Sequence, residues 1–214
     1  MSLTINANHS SSYYLKRFYA SDRSAASTDS YRSKSSNHTL VLADSAALKK
    51  AAEALSDMDY DNNDDANGGD IYNSVTAFVS AYNNFMDSSA SSDYSYIKNQ
   101  KNHIRDLIEA HSSELESIGI TINTKGKLEI DEDELGSAKL SKLKRIFSSK
   151  NDLCDSLQKY ANSALKYEKN HVPVKAASSG SGTDTTHTTD DPAAASTMAE
   201  LTGAVIGSHV DLVL

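Results

Sequence analysis

The sequence predicts a mainly α-helical protein, an antiparallel helical bundle with coiled-coil-like packing plus a small β-hairpin. Two stretches carry apolar residues at steps of three and four, and a stretch of strict alternation follows them. A disordered N-terminal arm and a flexible C-terminal linker complete the prediction, because both regions are polar and lack either period. The expected divisions are a polar arm at 1–36, the bundle at 37–172 with its hairpin near 118–130, a linker at 173–192 and an amphipathic segment at 193–214.

Composition limits the classes of partner. The 214 residues suit one domain of ordinary size, and the formal net charge of -8 argues against a nucleic-acid partner, which needs a basic face. The chain has one cysteine, so an internal disulfide is impossible. No apolar run reaches the roughly eighteen residues of a membrane helix, so we expect no integral membrane segment.

The first third of the chain is expected to contain a short strand and one helix. The alternating run Thr-Leu-Val-Leu at 39–42 predicts a strand. Asp44 or Ser45 then offers an N-cap for a helix over 46–57, in which Ala47, Ala51 and Leu55 recur at helical spacing.

An acidic segment at 57–70 contains six aspartates and ends in Asn-Gly-Gly. Read as a calcium loop starting at Asp59, it places Asp64 where the sharp turn needs glycine, and Asp70 where the bidentate glutamate belongs. The template fails at both positions, so we interpret the segment as a solvated loop and expect no metal.

Two long helices are predicted next. One apolar stripe runs over 71–87 and a second over 97–118, separated by a short polar turn at 88–93. A connection this short favours an antiparallel pair of neighbouring helices.

The helical period then gives way to alternation. Ile118, Ile120 and Ile122 point to one side, and a turn containing Gly126 lets a second strand return. A lone hairpin is marginal in water, so its apolar face is expected to lie on the helix pair. Asp131 is expected to cap the next helix, with Glu134 reaching back in a capping box.

The last part of the bundle contains a short basic segment and one more helix. Residues 139–147 combine an apolar stripe with four cationic residues, which indicates a solvated basic face; a membrane-surface role is the alternative. A helix starting near Asn151 or Asp152 follows and is stopped by Pro173. The terminal segment at 198–214 is apolar enough to need a partner.

Candidate catalytic residues do not converge. Cys154 has no basic neighbour to activate it and is interpreted as a structural thiol. His103 and His111 lie eight residues apart without the zinc-protease pattern, and no Gly-x-Ser-x-Gly elbow joins a strand to a helix. We therefore expect neither an enzyme nor a cofactor.

Four motifs occur in an order typical of one known family. Residues 77–85 read Ala-Phe-Val-Ser-Ala-Tyr-Asn-Asn-Phe, residues 115–120 end a long helix with Ile-Gly-Ile, residues 118–135 carry the hairpin followed by Asp-Glu and leucine, and residues 146–148 read Ile-Phe-Ser. Together they span residues 77–148, about a third of the chain. This region resembles, in a shortened form, the C-terminal part of the bacterial flagellar hook-associated protein 2 family, the filament caps.

The resemblance implies a non-enzymatic structural protein of the flagellum that self-assembles as a homo-oligomer or binds flagellar proteins. It also implies an extracellular location reached by signal-less export. The alternative is a cytoplasmic helical adaptor or chaperone-like module. The expected interaction residues are Tyr82, Asn83 and Asn84 at the family-like motif, where core packing competes as an explanation of Tyr82, and Leu201, Val205, Ile206, Val210 and Leu212 in the terminal segment.

Overall fold

Helices dominate the computed structural model, which describes residues 10–26, 29–61 and 65–171. A single two-stranded antiparallel sheet accompanies them in this part of the chain. The mainly helical prediction with one small hairpin is therefore confirmed. The elements are α1 (Ser11–Phe18), α2 (Asp29–Arg32), α3 (Asn37–Ser56), α4 (Asp65–Ala90), α5 (Ser95–Ala110), α6 (Ser112–Glu116), β1 (Ile120–Ile122), β2 (Leu128–Ile130), α7 (Glu132–Ser137), α8 (Leu140–Phe147) and α9 (Asp152–Asn170).

Helix α3 lies at the centre of the bundle and packs against both α4 and α9. Asn37 in its first turn donates to the carbonyl of Ser88 near the end of α4, at 2.8 Å. His38 contacts Glu168 near the end of α9, at 2.5 Å. Both contacts join the start of α3 to the end of its neighbour, so α3 runs antiparallel to each of them.

The predicted strand at 39–42 is wrong, because these residues belong to α3. The cap is Ser36, whose side chain accepts a hydrogen bond from the Thr39 backbone, rather than Asp44 or Ser45. Val41 is fully buried together with Leu48 and Leu55, at steps of seven. Of the four residues whose local alternation suggested a strand, Val41 lies on this buried helical stripe, and helix packing decides the outcome.

The two helices predicted to form a pair, α4 and α5, are neighbours, but neither is the other's main packing partner. α4 and α5 touch, but α4 packs mainly on α3 and α5 mainly on α9. Along α5 and α9, His103 stacks on Tyr160 with ring centroids 5.2 Å apart, and Tyr96 stacks on Tyr167. The later residue of α5 contacts the earlier residue of α9, so these two helices are antiparallel.

The N-terminal arm contains the helices α1 and α2, where the sequence predicted disorder. Residues 1–36 were expected to be disordered, yet α1 packs against α4, and Phe18, Tyr19 and Ala25 are buried. The composition of this segment is polar, and its helices are stabilised by contacts of α1 with α3 and α4. Residues 1–9 lie outside the described residues.

The hairpin forms close to its predicted place. Ile120 pairs with Ile130 and Ile122 with Leu128, and Gly126 takes a φ of 73° in the turn as its position requires. The Asn123 side chain accepts from the backbone N–H groups of Lys125 and Lys127, at 2.9 and 3.0 Å. One asparagine therefore organises the whole turn.

Half of the expected capping box is present. The Asp131 side chain accepts from the Glu134 backbone N–H at 2.9 Å and begins α7. The Asp131 N–H donates to the carbonyl of Gly119, at 2.8 Å, rather than to the Glu134 side chain. Asn151 caps α9 by accepting a hydrogen bond from the Leu153 backbone N–H, close to where the sequence predicts the start of that helix.

The linker at 173–192 and the segment at 193–214 lie outside the described residues.

Candidate interaction surface

Tyr82 and Asn83 hold the hairpin against α4. Tyr82 is fully buried, and its hydroxyl donates to the carbonyl of Gly126 at 2.8 Å. Asn83 donates to the carbonyl of Leu128 and accepts from the Leu128 N–H, both at 2.8 Å. Tyr82 is therefore a core residue rather than an exposed contact residue.

The Asn83 side-chain amide makes the two hydrogen bonds to Leu128 that a third strand would make. Leu128 lies opposite Ile122 in the two-stranded sheet, and its own N–H and carbonyl turn away from β1 toward Asn83. An unpaired strand edge invites pairing with another chain. Asn83 closes this position of the edge, so the hairpin is fixed in register on α4.

Asn84, the third predicted residue, joins a buried polar network. Its side chain donates to the Tyr19 hydroxyl at 2.9 Å, and that hydroxyl donates to Asp44 at 2.6 Å. Arg32 binds the same carboxylate with two nitrogens, at 2.9 and 2.8 Å. This network connects α1, α2, α3 and α4, and it is the contact that the sequence analysis missed.

Burial gives this network its electrostatic character. Burial, with Asp44 beside it, raises the pKa of Tyr19 well above its ordinary value, so the hydroxyl remains a proton donor. Burial alone would lower the pKa of Arg32, but the paired Asp44 carboxylate raises it above the usual range. Tyr19 and Arg32 are thereby held in the protonation states that their hydrogen bonds need.

Cys154 has the environment of a packing residue. It is fully buried, and burial raises the pKa of its thiol to about 12, with Asp155 adding to the effect. A nucleophilic cysteine needs a lowered pKa and access to solvent. The structural interpretation of this thiol fits both observations.

Histidines in the described part of the chain contact one or two acidic residues or stack on aromatic rings. His38 contacts the buried Glu168, and burial raises the pKa of that carboxyl despite the histidine beside it. His111 contacts Glu114 at 2.9 Å and Asp152 at 3.3 Å. Across residues 10–26, 29–61 and 65–171, no group of three or more potential metal-ligand side chains comes together.

An exposed row of rings lies where α9 ends. Tyr96, Tyr167 and His171 stack with ring centroids 4.5 and 3.9 Å apart, and Tyr96 is 40% exposed. Tyr94 meets Tyr167 edge-on and donates its hydroxyl to the His171 carbonyl at 3.0 Å. We call these four residues the aromatic row. The sequence analysis did not single it out, although Tyr167 and His171 are four residues apart on one helical face.

The basic face of α8 is the second exposed feature. Leu143, Ile146 and Phe147 are buried, so the apolar side of this helix is already occupied within the protein. The opposite side opens on a cavity of about 620 Å³ next to the start of α9, lined in part by Arg145 and Lys150. The predicted solvated face is the arrangement seen here.

The remaining predicted contact residues, Leu201, Val205, Ile206, Val210 and Leu212, lie outside the described residues. No described helix has the length and apolar character required to cross a membrane. No protein-family model, curated protein or solved structure matches this chain.

Proposed function

We propose that this chain is a non-enzymatic structural and assembly protein of the bacterial flagellum, related to the hook-associated filament cap. The observation that carries the proposal is the attachment of the hairpin to α4. The Tyr-Asn pair at 82–83 and the hairpin belong to two of the four motifs that carry the resemblance, and Tyr82 and Asn83 bind Gly126 and Leu128 directly. The motifs thus form one physical unit.

The proposed mechanism is recognition of a polymer end by a rigid body together with an apolar terminal segment. The bundle supplies the rigid body, and the apolar positions from Leu201 to Leu212 supply a surface that needs a partner. Burying those positions in an assembly suits a chain that is exported unfolded and acts outside the cell. The proposed partners are further copies of the chain and flagellar proteins.

One observation favours the alternative, a cytoplasmic helical adaptor. The aromatic row exposes large rings at the end of α9, and Tyr side chains of this kind are typical of protein contact sites. In that case the row would bind a partner's peptide or helix, and the terminal segment would have no role in assembly.

Light scattering after size exclusion tests the proposal on the full chain and on a version that ends at Pro192. The proposal predicts that the full chain is an oligomer, and that the shortened chain is a monomer with an unchanged helical circular dichroism signal. A full-length variant with Leu201→Ser, Val205→Ser and Ile206→Ser is the control for chain length, and it should also be monomeric. Compact monomers in all three cases would favour the adaptor.

A further inference from the structure

An acidic block surrounds the start of α7. Five carboxylate side chains are exposed within six residues, and none of them forms an ion pair with a described cation. Negative charge in a first helical turn is favourable, which accounts for the position of those on α7. The neighbouring Glu129 on β2 accepts a hydrogen bond from the Asn123 side chain at 2.9 Å. The acidic block consists of Glu129, Asp131, Glu132, Asp133 and Glu134.

A basic block follows directly in the chain. It consists of Lys139, Lys142, Lys144, Arg145 and Lys150. Lys144 pairs with Asp61, and Lys142 donates to the carbonyl of Ser117 at 3.0 Å. The other three are exposed and form no ion pair with a described residue. Five cations within twelve residues stand out in a chain whose formal net charge is -8.

The fold keeps the two blocks adjacent but unpaired. α7 ends at Ser137 and α8 begins at Leu140. Glu134, Lys139 and Lys142 line the same cavity, whose volume is about 520 Å³. Leu135 and the apolar face of α8 are buried, so both helices present only their charged sides. Among these ten residues, only Lys144 forms an ion pair with a described residue, Asp61.

We propose that the acidic block of one copy docks on the basic block of another copy of this chain. The inference rests on the proposed self-assembly and names its contact surface. Two identical chains of net charge -8 repel each other, so their contact needs a local match of opposite charge. The blocks supply it with exposed charges of both signs, and pairing identical copies satisfies both blocks together.

A second copy fits these charges better than an anionic partner does. A membrane of acidic lipids or a nucleic acid would be attracted by the basic block and repelled by the five carboxylates next to it. The buried apolar face of α8 also leaves no surface to insert among lipids. A neighbouring chain brings both signs of charge to the same surface.

Charge reversal tests the contact in the full chain by sedimentation velocity. One variant carries Glu132→Lys and Asp133→Lys, the other Arg145→Glu and Lys150→Glu. Each variant alone should associate at least about tenfold more weakly than the natural chain. The reason is that one of its blocks then repels the partner's matching block. An equal mixture of the two variants should restore association, because opposite charges face each other again.

Controls separate loss of contact from loss of fold. Lys98→Glu with Lys159→Glu, exposed residues on α5 and α9, makes the same change in net charge as Arg145→Glu with Lys150→Glu and should leave the mass unchanged. Each variant should keep the circular dichroism spectrum of the natural chain. Raising the salt from about 0.05 M to about 0.5 M should weaken association of the natural chain, since exposed charges are screened.

Three outcomes would overturn the inference. If the natural chain assembles and both reversed variants assemble equally well, the contact lies elsewhere while the proposed self-assembly stands. If the mixture stays as dissociated as each variant alone, the blocks do not face each other. If the natural chain is monomeric at every salt concentration, the proposed function fails as well; binding to phosphatidylcholine vesicles with about a fifth phosphatidylserine, lost on Arg145→Glu, would then assign the basic block to membranes.

Discussion

At the scale of single residues, Asp44 on α3 joins α2 and the end of α1 to the rest of the bundle. It is fully buried and binds both Arg32 and the Tyr19 hydroxyl. Asn84 reaches the same hydroxyl from α4. A buried carboxylate is costly to desolvate, but a bidentate arginine and a second donor offset that cost here.

Asp44→Asn removes the charge that this network needs. Arg32 would then keep a half-buried cation without its counterion, and breaking such a pair costs about 3 to 5 kcal/mol of the free energy of unfolding. Urea denaturation measures the loss. Asp106→Asn is the matched control, because its pair with Arg105 is exposed and should contribute less than about 1 kcal/mol. Equal losses in the two variants would contradict the role given to Asp44.

Cys154 should be unreactive in the folded protein. Burial raises the pKa of its thiol to about 12, so the thiol is protonated and covered at pH 8. Because the folded pKa is the higher one, the thiol favours folding below its ordinary unfolded value, and this contribution is lost as the pH rises toward 12. An Ellman reaction at pH 8 should label the single cysteine only in denaturant. Rapid labelling of the native chain would instead indicate an accessible, reactive thiol.

At the scale of elements, the hairpin depends on α4 for its stability. Two strands of three residues each cannot be stable alone, and Asn83 supplies the hydrogen bonds of a third strand to Leu128. Gly119, just before β1, receives the Asp131 N–H and connects the hairpin to α7. The hairpin is thus held from both sides.

Asn83→Ala should release the edge of β2. Two hydrogen bonds to the Leu128 backbone are lost, at an expected cost of about 1 to 3 kcal/mol in the free energy of unfolding. Hydrogen exchange at the Leu128 amide should speed up more than exchange in α3. Asn99→Ala, an exposed change on α5 with the same gain in helix propensity, is the control. Unchanged protection at Leu128 would mean that Asn83 does not hold the strand.

Three glycines around the hairpin should respond differently to alanine. At Gly119, with a φ of 78°, a Cβ would lie 2.7 Å from the Glu134 Cβ, and we expect a loss of about 2 to 4 kcal/mol. At Gly126 only the backbone strain applies, about 1 to 2 kcal/mol. Gly136 is helical with nothing within 4 Å, so alanine should stabilise by up to about 1 kcal/mol. Thermal unfolding of the three variants ranks them, and a different order would show that the backbone there is free to adjust.

Features that depend on neighbouring residues could be predicted from the sequence, and those that depend on distant partners could not. The Asp131 cap, the Asn151 cap and the turn at Gly126 follow from local chemistry. The order of α1 and α2 depends on Asp44, a partner that polar composition does not reveal. For the same reason Tyr82 could be placed on an apolar stripe, while its bond to Gly126, 44 residues away, could not.

At the scale of the whole molecule, the described helices form a closed core with charged surfaces. α3 contacts α1, α4, α8 and α9, so its alanines and leucines are covered on several sides. Among its exposed features are the aromatic row, the acidic block and the basic block. The proposed cap-like assembly uses the two charged blocks and the terminal segment.

Electron microscopy of isolated flagellar filaments with the gold-labelled full chain tests this account most directly. The account predicts that gold particles lie at one end of the filaments, and that the chain ending at Pro192 leaves those ends unlabelled. The mixture of the two charge-reversed variants should label ends that neither variant labels alone. Gold spread along the filament sides, or no bound gold beside a full chain shown to be folded, would contradict the proposed end-binding assembly.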